Sequence, residues 1–131
     1  MNKNVALWLG AMLCAVFISG CAALVVGAAA GGATVSYVNN ELRATESASL
    51  ERVWKATLRA VQDAGYVRVS ERQDARQAVW KGENAAGQQV VVNLQRVADD
   101  RTTVRIRVGV VSTAQNREAA MDLYDRIRAR L

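Results

Sequence analysis

The sequence predicts a single α+β domain, a mostly antiparallel sheet of about five strands with two amphipathic helices on one face. Three observations lead there. Apolar residues recur at helical spacing in two stretches, Leu50–Val61 and Ala120–Leu131. Four stretches between them have strand character, three with clear alternation of apolar and polar residues. Short runs of turn-forming residues separate these four, so the strands follow one another as a meander. The predicted order is β-α-β-β-β-β-α.

Val35–Glu46 opens the domain with strand character and holds Asn39-Asn40 in its middle. It reads as one strand with a bulge or as a tight hairpin, Asn-Asn being a weaker turn signal than Asn-Gly. Ser47 then offers an N-cap. Leu50, Val53, Trp54, Thr57, Leu58 and Val61 form one helical stripe, and Gly65 stands where such a helix stops. Tyr66–Arg72 places Val67 and Val69 on one face. Gln73–Arg76 is a polar connection to Gln77–Asn84, a strand containing Trp80, and Asn84-Ala85-Ala86-Gly87 reads as a hairpin loop. Gln88–Val97 turns Val90, Val92 and Leu94 one way, and Asn93 and Gln95 the other. After the turn Ala98-Asp99-Asp100-Arg101, Thr102–Val111 sends Val104, Ile106, Val108 and Val110 inward and Thr103, Arg105 and Arg107 outward. Ser112 and Gln115 have capping-box spacing. In the last helix Ala120, Leu123, Tyr124, Ile127 and Leu131 share a stripe, and Arg126, Arg128 and Arg130 lie near its C-terminus, as the helix dipole favours.

Composition narrows the chemistry. Among 131 residues there is no His and no Pro, and the two cysteines are Cys14 and Cys21. Zinc sites of Cys and His, Ser–His or Cys–His catalysis and histidine pH switches are therefore excluded. A formal charge of +5 is too modest to demand a nucleic-acid partner.

The N-terminus predicts an anchor. Lys3 precedes an uncharged apolar run, Val5–Ile18, of the length of a signal-peptide core and short for a spanning helix. Ile18-Ser19-Gly20-Cys21 follows and resembles the bacterial lipobox, in which small residues admit the peptidase and the Cys thiol takes diacylglycerol. The expected organisation is a lipoprotein signal peptide over 1–20, the lipidated Cys21 with an Ala/Gly tether over 21–34, and the domain over 35–131. Without cleavage, a helix from Val5 to about Ala30 could span a bilayer, but Gly27, Gly31 and Gly32 weaken it by about 1 kcal/mol each.

The mature part resembles a family of small Gram-negative lipoproteins catalogued only as a domain of unknown function. The matching residues are Cys21, Tyr37-Val38-Asn39-Asn40-Glu41-Leu42, Ser49–Thr57 with Ala60, Ile106-Arg107-Val108-Gly109 and Ile127-Arg128-Ala129-Arg130-Leu131. Family members tend to carry an aromatic-Gly-Asp turn after that glycine, where this chain has Val110-Val111-Ser112-Thr113-Ala114. The resemblance implies an outer-membrane or periplasmic address and no activity, cofactor or catalytic residue.

Candidate interaction residues are few. Arg105 and Arg107, with Arg96 on the neighbouring strand, form a face suited to an anionic partner, against the plainer reading of a solvated sheet surface. Asp99-Asp100 reads as an acidic turn rather than a carboxylate pair for catalysis or metal. Trp54 and Trp80 read as core rather than as ligand-stacking residues. The expected function is a non-enzymatic structural or protein-interaction module, lipid-anchored in the cell envelope, binding neither nucleic acid nor metal and needing no cofactor. The alternative is a small-ligand or lipid-handling domain with a cavity between sheet and helices. Leu50, Trp54, Leu58, Val92, Ile106 and Ile127 are sized to fill that space.

Overall fold

A computed structural model of the protein describes residues 34–131. Cys21 and the predicted signal peptide and tether lie outside the described residues, except that Thr34, assigned to the tether, begins the first strand. The elements run β1 (Thr34–Val38), β2 (Glu41–Glu46), α1 (Leu50–Asp63), β3 (Val67–Gln73), β4 (Gln77–Glu83), β5 (Gln89–Ala98), β6 (Arg101–Val108) and α2 (Ala114–Ala129). The sheet has six strands rather than five, in the order β1-β2-β6-β5-β4-β3, and each neighbouring pair is antiparallel.

The extra strand comes from Asn39-Asn40. Both residues take positive φ, 52° and 60°, as the two central residues of a tight hairpin turn require. Asn40 is then fixed by its side chain. It accepts from Tyr37 Oη at 2.7 Å and donates to the carbonyls of Val108 and Gly109 at 3.2 Å each. Those bonds tie the hairpin to the far end of β6, so β2 pairs with β6 and the N-terminal hairpin joins the meander.

Helix α1 carries the chain across the sheet, from β2 to the opposite edge at β3. Its N-cap is Ser49, which accepts from Arg52 N, rather than the expected Ser47. At its other end Tyr66 N donates to Val61 O and Gly65 N to Gln62 O, the paired bonds of a Schellman stop. Helix α2 is capped by Thr113, one residue beyond the expected Ser112, and the cap accepts from Asn116 N at 3.1 Å.

The core lies between the helices and one face of the sheet. Leu42 and Ala44 of β2, Val104, Ile106 and Val108 of β6, Val90, Val92 and Leu94 of β5, and Ala78 and Trp80 of β4 point into it. From the helices come Val53, Trp54, Ala60, Leu123, Tyr124 and Ile127. Burying each large apolar side chain contributes about 1.5–3 kcal/mol. All of these residues lie between Leu42 and Ile127, so the segment from Thr34 onward contains a complete core of its own. Gly82 belongs to the same face, where a Cβ would sit 2.3 Å from the Trp80 ring and from Val67 O; the indole lies where a side chain would be.

One strand expectation is corrected. Val110 is 88% exposed instead of inward. Gly109 ends β6 with φ +67° and turns the chain off the sheet before the alternation reaches Val110. Val67 and Val69 are also exposed, because β3 is an edge strand whose register shifts between Arg68 and Ser70. A bulge on an edge disfavours pairing with another chain.

Candidate functional site

The face of the sheet turned away from the helices is the candidate site. Strand pairing aligns its residues in rows. Ser36, Arg43, Arg105, Asn93, Val79 and Arg72 form one row across all six strands. Thr34, Thr45, Thr103, Gln95 and Gln77 form a second. In a third, Arg107 lies across from Val91, and Val91 from Lys81. The expected outward orientation of Arg105 and Arg107 holds, and their spacing along the strand is about 6–7 Å.

Arg96 is not brought to them. It pairs with Thr102, a buried residue of the opposite parity, and its guanidinium bonds Asp99 and the Ala75 carbonyl at the end of the sheet. That end bears a surface hollow of about 820 Å³, with Asp74, Arg76, Gln95, Arg96 and Asp99 in its wall. Asp99-Asp100 makes the two-residue β5–β6 turn. Among the described residues no group of three acidic side chains is placed to hold a metal ion.

The open face has cations that single-strand reading missed: Arg43, Arg72, Lys81 and, at the end of β6, Arg101. Their signal was parity, but it becomes usable only once the hairpin and the edge register are known. Lys3 is one of the 17 Lys and Arg; the other 16, and all 12 Asp and Glu, lie in the described residues. Six of those cations stand on the open face with only two carboxylates, Glu41 and Glu83, which leaves ten of each sign elsewhere. The net positive charge of the domain is therefore carried by this one face.

The ion pairs on it are uneven. Glu41, with its side chain 15% exposed, takes Arg43 Nε at 2.6 Å and Arg107 Nη2 at 3.2 Å. Arg105 stands across from Arg43, and its Nε is closed off from solvent with no hydrogen-bond partner among the described residues. Like charges directly opposite one another destabilise a sheet. Beyond Asn93 a hollow of about 540 Å³ opens over Val79 and Val91, with Arg72, Lys81 and Glu71 beside it, the last paired with Arg68.

On the covered face the buried polar groups are satisfied internally. Tyr124 Oη donates to Glu46 Oε1, and Arg128 Nε lies 3.7 Å from the same oxygen. Burial, then the hydrogen bond and charge of Glu46, push the Tyr124 phenol well above its ordinary range. Trp54 and Trp80 are buried in the core, as expected.

Residues 4–129 match the model of the family described as a protein of unknown function (DUF3568). The chain belongs to that family. The match spans both the N-terminal segment and the α+β domain, so DUF3568 takes in the lipobox-like residues together with the sheet. Among curated proteins, none matches this chain. Among the described residues of this DUF3568 member, no helix is long and apolar enough to cross a membrane.

Proposed function

We propose that this protein is a non-catalytic, lipid-anchored module of the bacterial cell envelope, attached through Cys21 and working by surface contact. Ile18-Ser19-Gly20-Cys21, placed directly after an uncharged apolar run, supports the anchor. Two or more acyl chains on one residue give stable attachment. Ala22 follows the cysteine where Asp commonly retains a lipoprotein at the inner membrane, which favours the outer membrane, facing the periplasm. The observation that carries the interaction role is the concentration of the domain's net charge on a sheet face that no described element covers. The ligand-handling alternative needs space between sheet and helices, and Trp80, Tyr124, Leu94 and Ile106 occupy it.

Fatty-acid labelling in cells tests the anchor. The parent protein should take up label and fractionate with the outer membrane, and Cys21→Ser should remain an unlabelled precursor. Label on Cys21→Ser would overturn the reading.

A further inference from the structure

We propose that the open sheet face lies against anionic phospholipid headgroups, so that the domain rests on the membrane to which Cys21 holds it. The inference builds on the anchoring read above, and its own contact is made by Arg43, Arg72, Lys81, Arg101, Arg105 and Arg107. Three observations carry it.

The charge is directional. Six cations and two carboxylates share this face, while the remainder of the domain is balanced, so an anionic layer attracts one side of the molecule only.

The centre of the face is built at a cost to the fold. Arg105 faces Arg43 across the β2–β6 pair, Glu41 is taken by Arg43 and Arg107, and Arg105 Nε has no partner among the described residues. A phosphate oxygen above this row meets the guanidinium groups of Arg43 and Arg107, both more than half exposed, while Arg105, its Nε closed off from solvent, adds charge from beneath. The hollow over Val79 and Val91, with Arg72 and Lys81 beside it and Glu71, paired with Arg68, also in its wall, gives a second place for a headgroup.

The composition of the face suits a charged layer better than a folded partner. Protein interfaces centre on aromatic and other large apolar anchors, and the arginines enriched there work beside those anchors. Here arginines hold the centre and the apolar members are the valines Val38, Val67, Val79 and Val91. Residues 22–33 span at most about 45 Å, a reach that keeps the face close to the bilayer.

The test uses residues 34–131, whose core is self-contained, and vesicles of phosphatidylcholine alone or mixed with phosphatidylglycerol. It needs no lipid on Cys21, so its failure is separable from failure of the anchor, which labelling reads independently. Co-flotation should require phosphatidylglycerol and fade as salt is raised. Arg43→Glu with Arg105→Glu should weaken it by at least about 100-fold. Lys55→Glu with Arg59→Glu makes the same charge change on α1, beyond a screening length from the vesicle, and should weaken it by less than about tenfold. Should the first pair fail to fold by circular dichroism, Arg43→Thr with Arg105→Thr replaces it, with a loss of about tenfold or more expected. Equal losses on the two faces, or flotation indifferent to phosphatidylglycerol, would overturn the proposal. So would a crosslink in cells from this face to an acidic protein when the vesicles bind nothing.

Discussion

Arg43 and Arg105 occupy matched positions on adjacent antiparallel strands, and the nearby carboxylate of Glu41 is engaged by Arg43 and Arg107 instead of Arg105. Two guanidinium groups thus share one site on the open face. Cross-strand pairs of like charge disfavour the sheet, whereas threonine suits a half-buried strand. Arg105→Thr is expected to stabilise the domain by roughly 0.5 kcal/mol, a rise in Tm of about 2–4 °C. Thermal unfolding followed by circular dichroism measures it. A fall in Tm would mean that the stem of Arg105 contributes more by packing than its charge costs.

Tyr124 and Glu46 join α2 to β2 inside the core. Tyr124→Phe removes the donor and leaves a buried carboxylate short of a partner, at a cost of about 1–3 kcal/mol in urea unfolding. Glu46→Gln keeps an acceptor for the phenol and should cost less. An equal or smaller loss in Tyr124→Phe would contradict the geometry.

The same pair sets a response to alkali. The folded phenol titrates above its ordinary 10.0, raised first by burial and then by Glu46. A group with a raised folded pKa contributes stability that is fully present below its unfolded value and is lost as pH rises. Stability should therefore decline above about pH 10. Tyr66 shifts in the same direction through burial, so Tyr124→Phe should flatten that decline without removing it. An unchanged slope in the variant would show that Tyr124 is not the group responsible.

Hairpin statistics favour Gly at the second turn position, yet Asn40→Gly is expected to destabilise this protein. The glycine relieves a positive φ, but the Asn40 side chain also serves Tyr37 Oη and the carbonyls of Val108 and Gly109. Losing three bonds at a largely buried site outweighs the relief, for a net cost of about 1–2 kcal/mol. Increased stability would show that the turn, and not the tie to β6, governs this corner.

That corner also marks where sequence reading stopped. The helices and β4, β5 and β6 were legible because each carries its periodicity over at least six residues. Val35–Glu46 stayed ambiguous because Asn-Asn signals the turn weakly, and what resolves it is the bond from Asn40 to residues near 108, far along the chain. Val110 was misplaced because alternation does not report its own end; Gly109 supplies the stop through backbone conformation. Arg105 and Arg107 were correctly turned outward by parity alone. Arg43, Arg72 and Lys81 join them only through pairings between distant strands, and Arg96 drops away because its partner Thr102 lies on the buried face.

The claim that organises the rest is attachment through Cys21, and the intact mass of the protein extracted from its native membrane tests it most directly. The account predicts a chain that begins at Cys21 and carries a diacylglyceryl group, with or without a further acyl chain on the new terminus. A mass equal to the unmodified chain from Met1, or to one beginning at any other residue without lipid, would contradict it.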